Sequence, residues 1–193
     1  MKTSKKTLVL LFIISLVLGF TSLAFASSNV VNLPIKNIKK INVSGNVELI
    51  VVQGVNEGVS VYSDYYLNNA LVQKEDDELR ITSYQKEKLA VVVTVAQLQK
   101  INASGDVKVS THNKVYFLGL ELNLSGKSTA EIDVDVVKLT TKVYDQSKLV
   151  LKGSSDEYFG MMSSFATLNM DKFSSENTQI KSQEKLYYAL NRL

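Results

Sequence analysis

The chain has 193 residues, a formal net charge of +3, a single histidine and no cysteine, with 22 Lys plus Arg against 19 Asp plus Glu. Disulfides and zinc sites built from Cys and His are thereby excluded. Removing the first 26 residues takes away three lysines and leaves 19 basic against 19 acidic side chains, a neutral chain without a basic cluster, which argues against nucleic acid as a partner.

The amino terminus has the layout of a secretory leader. Lys2, Lys5 and Lys6 precede a nearly unbroken apolar run from Thr7 to Leu18, and Ala24-Phe25-Ala26 places small residues at the two positions a signal peptidase reads. The run is short of the roughly 20 residues that span a bilayer. The sequence therefore predicts a signal peptide over 1–26 and a single exported domain over 27–193, with no transmembrane segment after cleavage. The protein would reside in the periplasm, at the outer-membrane surface or outside the cell. Stability must then come from burial and hydrogen bonding.

Beyond Ser27 the chain reads as short strands rich in Val, Ile, Thr and Tyr that alternate with polar residues. The phrase Ile41-Asn42-Val43-Ser44-Gly45 opens the series and Val47 to Val52 continues it. Gly58 to Tyr62 is the next run, followed by a short helical or irregular stretch over Tyr65 to Ala70. Glu75 to Glu78 is an acidic turn leading into Leu79 to Thr82. Leu89 to Val95 is continuous and apolar, as in a strand buried on both faces.

The phrase returns at Ile101-Asn102-Ala103-Ser104-Gly105 and at Leu122-Asn123-Leu124-Ser125-Gly126, and its position is then held by Tyr144-Asp145 and Ser163-Ser164. Flanking apolar positions keep this register: Leu120, Leu122 and Leu124 become Leu139, Thr141 and Val143, then Tyr158, Gly160 and Met162. Likewise Ala130 and Ile132 become Leu149 and Leu151, then Leu168 and Met170. A repeat near 20 residues cannot bury its own apolar side and must stack on the next. The expectation is an all-β, right-handed parallel β-helix or β-solenoid of short rungs, the alternative being an antiparallel β-sandwich. The glycines, and Asp145 in their place, would take left-handed corners, the serines would satisfy turn backbone, and the asparagines would form ladders where copies align. The 60 residues between the first two phrases would hold three rungs. Ser182 to Leu193 would close the chain as a short helix or a last strand through Leu186 to Leu190.

Chemistry-bearing candidates are few. His112 lies in a polar turn and reads as solvated, and no Gly-x-Ser-x-Gly elbow accompanies it. Glu131, Asp133 and Asp135 share one strand face and could take calcium, but a solvated outer face partnered by Lys138, Lys148 and Lys152 is the simpler reading. Arginine occurs only at Arg80 and Arg192, which disfavours a polysaccharide-cleaving groove. Tyr62, Tyr65, Tyr66, Tyr187 and Tyr188 are available for stacking on sugars or anchoring a protein, or for filling the core.

The succession Ile41-x-Val43-Ser44-Gly45-Asn46-Val47-x-Leu49, Leu79-x-Ile81, Val91 to Val95, Leu98 and Ile101-x-Ala103-Ser104-Gly105 resembles the head GIN domain family, exported bacterial proteins grouped as auto-transporter adhesins. The resemblance runs from about Ile38 to Met170. It implies a signal peptide, β-helix-like structure and surface adhesion, and supplies no catalytic, cofactor or metal residues. The chain departs from the family pattern at Tyr144-Asp145 and in lacking a final glycine-rich rung. The functional expectation is a non-catalytic envelope or cell-surface binder of glycan or protein, with self-association through the terminal rungs. The competing readings are a polysaccharide-processing enzyme and a structural assembly module.

Overall fold

The computed structural model describes residues 30–62, 70–84 and 86–183. The predicted leader, Tyr65, Tyr66, Tyr187, Tyr188 and the stretch from 184 to 193 lie outside the described residues. The described chain is all-β. It comprises β1 (Val30–Leu33), β2 (Lys40–Gln53), β3 (Gly58–Tyr62), β4 (Ala70–Glu75), β5 (Glu78–Ser83), β6 (Leu89–Val95), β7 (Lys100–Thr111), β8 (Val115–Gly126), β9 (Thr129–Val143), β10 (Lys148–Ser163) and β11 (Thr167–Gln183). These form one open mixed sheet whose main path runs β1-β3-β6-β2-β7-β8-β9-β10-β11.

The repeat sets the pairing. Asn102 lies beside Asn123, Leu120 beside Leu139, Leu139 beside Tyr158, and Leu149 beside Leu168, all in parallel strands. An antiparallel sandwich does not accommodate these registers. One irregularity occurs late: the register slips between Val150 and Lys152, so the offset to β11 grows from 19 residues at Lys148↔Thr167 to 20 at Lys152↔Lys172. Antiparallel pairing is confined to the amino-terminal part, where β1 joins β3, β3 joins β6 and β4 joins β5 around the turn at Asp76.

The interval between the first two phrases departs from the expectation of three rungs. β2 pairs directly with β7, Ile41 beside Ile101 through Val51 beside Thr111, and β5 and β6 lie along the opposite edge of β2. Like phrases pair because their corners match. Gly45, Gly105 and Gly126 all have positive φ, of 86°, 86° and 72°. Only strands bent at the same position can hydrogen-bond continuously around that bend. Asp145, with φ 56°, continues the column as expected, and its carboxylate accepts the Gly126 N–H at 2.9 Å.

Inside the stack the side chains alternate. Ile41, Leu49, Ile81, Leu122, Ile132 and Leu151 are among the fully buried residues of one continuous apolar core. β6 differs from the reading of a strand buried on both faces: Leu89, Val91, Val93 and Val95 are buried, while Ala90, Val92 and Thr94 are half-buried. Its second face, with Ala90, Val92 and Thr94, is only half covered among the described residues.

The asparagine ladder forms. Asn102 donates to Asn42 at 2.5 Å and Asn123 to Asn102 at 2.7 Å. Asn123 also donates to Glu121 at 3.0 Å, and Lys142 and Lys100 approach the same carboxylate at 3.0 and 3.3 Å. The Asn123 bond first, and then the two ammonium groups, pull the Glu121 pKa down to about 2 against a partial desolvation that works the other way. Because its folded-state pKa is depressed, Glu121 stabilises the fold above its ordinary pKa near 4.5. That contribution is lost as pH falls towards about 2. An acid titration of the Glu121→Gln variant followed by circular dichroism should show a shallower loss of stability than the parent across this window. Parallel profiles would refute the assignment.

Candidate functional site

A groove runs across the stack at a corner that the sequence does not advertise by any motif. Alternation slips by one residue at Leu118-Gly119, Val137-Lys138 and Asp156-Glu157, where two consecutive residues face outward between buried neighbours. The slip recurs at the same register from strand to strand, Gly119 beside Lys138 and Lys138 beside Glu157. Two outward columns result. Gly119, Lys138, Glu157 and Asn177 form one, and Glu121, Thr140, Phe159 and Gln179 form the other. The strand between them, carrying the inward-facing Leu120, Leu139 and Tyr158, is the floor.

Two hollows of about 570 Å³ each lie along this line and share Lys138 and Thr140. The one nearer the amino terminus has Leu98, Leu118 and Leu120 in its walls and Lys39, Gln97 and Gln99 at its rim. The other has Phe159, Glu176, Asn177 and Gln179. Leu118 lines the first hollow and is 77% exposed, and Val137, next to Lys138 in the chain, is 51% exposed. Lys138 pairs with Glu157 at 3.2 Å, and the Lys181 ammonium lies 5.6 Å from the Phe159 ring centre. The floor is rigid. Tyr158 is buried, shares a hydrogen bond with Thr141 at 2.8 Å, and meets Phe173 edge-on at 5.6 Å between ring centres.

The acidic face singled out by sequence sits elsewhere. Asp135 is bound by Lys114 at 3.2 Å and by the Ser154 hydroxyl at 2.9 Å, and Glu131 is bound by Lys152. Of the three lysines expected there, only Lys152 pairs with this face; Lys138 serves Glu157 around the corner. Asp133 accepts no hydrogen bond at its buried Oδ1 among the described residues. No group of three or more His, Cys, Asp or Glu side chains suited to a metal ion occurs among the described residues. His112 is exposed, and its backbone N–H donates to the Val51 carbonyl at 2.8 Å. The corner serines divide: Ser44 bonds the Thr82 hydroxyl at 3.1 Å and Ser125 the Ala103 carbonyl at 3.5 Å. Tyr62 is 40% exposed at the end of β3, on the opposite side of β2 from the groove-forming strands.

No sequence motif marks the groove. The available signal was the phase slip itself, three outward doublets spaced one repeat apart. With this geometry in hand, comparison with known proteins places the chain. Residues 37–183 match the family described as "Putative auto-transporter adhesin, head GIN domain", and the chain belongs to that family. Among solved structures it is similar to a "putative adhesin" from Bacteroides fragilis, with a TM-score of 0.69 at 15% identity over 81% of this chain and 76% of that one. A "putative adhesin" from Parabacteroides merdae gives 0.66 at 12% identity, covering 81% and 77%. A "Putative lipid binding protein" from Parabacteroides distasonis gives 0.65 at 10% identity, covering 81% and 78%. At these identities the likeness is one of fold. A search of curated proteins returns no match. No helix among the described residues is long and apolar enough to cross a membrane.

Proposed function

We propose that the protein is an exported, non-catalytic, adhesin-like binder that presents the corner groove to a ligand at a cell surface. The carrying observation is the groove itself: a concave, partly apolar track on a rigid scaffold, built by outward side chains that the core does not need. Residues 1–26 serve as the signal peptide in this reading. The parallel registers support reading β2 and β5 to β11 as rungs of a right-handed β-solenoid, the hand that strand twist favours. The lysine–carboxylate face at Glu131 and Asp135 is neutralised within the protein, which favours binding over polysaccharide cleavage. Self-association is a second reading, supported by β11, which ends the path of the sheet with its outer edge unpaired among the described residues.

The test is adhesion. Beads coated with the purified protein should adhere to bacterial or host-cell surfaces, and a Leu118→Glu, Val137→Glu double variant should lose most of that adhesion while keeping its thermal midpoint. Beads that never adhere, or that adhere equally with the variant, would refute the reading. Size-exclusion chromatography of the same preparation gives the oligomeric state, and turnover of a polysaccharide panel would establish the enzyme reading instead.

A further inference from the structure

The groove has a period. Its wall side chains recur once per strand, and neighbouring strands are about 4.8 Å apart, close to the advance of one pyranose unit in an extended oligosaccharide. From Lys39 and Gln99, just before β2 and β7, through Glu121, Thr140 and Phe159 to Gln179 it crosses six hydrogen-bonded segments of the chain. That is a track of about 24 Å.

The side chains along it suit hydroxyl groups. Gln97, Gln99, Asn177 and Gln179 are primary amides, each able to donate and accept. None of the four forms a side-chain hydrogen bond within the described protein, in contrast to the asparagines of the ladder. Phe159 adds an aromatic ring to the polar hollow, and the exposed Leu118 adds an apolar wall for the flat face of a sugar ring. Most of its charge is paired within the protein, Lys138 with Glu157 and Glu121 with Lys100 and Lys142. Lys39 and Glu176 stand in different hollows and Lys181 lies over the Phe159 ring, so the cations are spread along the track and not clustered for an acidic chain.

The main rivals fit less well. A peptide adding itself as a strand needs unpaired backbone groups, whereas the groove floor spends its N–H and C=O groups on the neighbouring strands. An acyl chain needs an enclosed apolar pocket, and only the half nearer the amino terminus has apolar walls.

Resting on the surface-binding reading, we propose that the ligand is an extended neutral oligosaccharide lying across the rungs, about one sugar unit per rung. Calorimetric titration of the purified protein with cellohexaose, xylohexaose and chitohexaose, their dimers, a hexagalacturonate and an extended peptide tests this. At least one neutral hexamer should bind about tenfold or more tighter than its dimer, with little change between 50 and 500 mM salt. Phe159→Ala and Gln179→Ala should each weaken it about fivefold, both variants keeping the parent circular dichroism spectrum. The inference is overturned if no neutral hexamer binds, if the uronate or the peptide binds tighter, or if neither variant matters. Coated beads that still adhere to cells in that case would leave the surface-binding reading standing, and beads that do not would remove both.

Discussion

Replacing Gly45 by alanine should destabilise the protein by about 3–5 kcal/mol, with a comparable loss for Gly153→Ala. Gly45 has a φ of 86°, where an L side chain is strained, and a Cβ built on it would lie 2.1 Å from the Ser83 carbonyl oxygen. Gly153, at φ 98°, would place its Cβ 2.2 Å from the Val134 carbonyl oxygen. Neither obstacle is a flexible side-chain end. Both are backbone in an adjoining strand, so the added methyl must push apart strands that are hydrogen-bonded along their length. The left-handed conformation alone costs about 1–2 kcal/mol, and lost ladder bonds and opened packing make up the rest. Gly119→Ala is the matched control, since its Cβ would meet nothing closer than the Lys138 carbonyl oxygen at 3.7 Å. It should change stability by less than about 0.5 kcal/mol. Thermal unfolding should therefore lower the midpoint by roughly 10 °C for the first two variants and barely move it for the third. Equal midpoints for Gly45→Ala and Gly119→Ala would refute the corner argument.

These corners also show how much of the molecule was legible beforehand. Ser-Gly fixes a bend because only glycine, or a residue such as Asp145, tolerates the backbone there. Three copies of one bend imply that strands align on it, and the inward register of Leu120, Leu139 and Tyr158 followed correctly. Gly153 was not anticipated, since no repeated phrase marks it. The direct pairing of β2 with β7 was hidden as well. Sequence spacing counts residues along the chain, whereas pairing is decided by which edges match, and β5 and β6, which lie between the two phrases in the chain, take the other edge of β2. The antiparallel strands β1, β3 and β4 carry the same alternation as the parallel ones, because a period of two reports the side-chain face and is blind to strand direction. The candidate site was the least legible part. Its residues are ordinary, Lys138, Thr140, Phe159 and Gln179, and become a site only when the register stacks them.

Tyr158→Ala should be as damaging as the corner substitutions, at about 3–5 kcal/mol, and it should carry the groove with it. The tyrosine is 2% exposed at the floor, and three features explain its place. Gly160 leaves the room the ring needs: a Cβ there would stand 2.8 Å from the Tyr158 hydroxyl. Thr141, itself fully buried, shares a hydrogen bond with that hydroxyl at 2.8 Å. Phe173 packs edge-on from β11, tying the last strand to the core. Truncation would empty this volume, orphan the Thr141 hydroxyl and remove the main aromatic contact that seats β11, whose Leu168, Met170 and Phe173 are only partly buried. The contributions can be separated. Tyr158→Phe keeps the ring and loses the bond, leaving a buried hydroxyl without its partner, and should cost about 1–3 kcal/mol. Adding Thr141→Val removes that orphan and should restore part of the loss, a coupling that a double-mutant cycle in urea measures. If Tyr158→Phe and the double variant are equally unstable, the hydroxyl pair contributes nothing specific and the ring alone holds the floor. If Tyr158→Ala costs less than about 1 kcal/mol, β11 is anchored by other contacts and the groove floor does not depend on this residue.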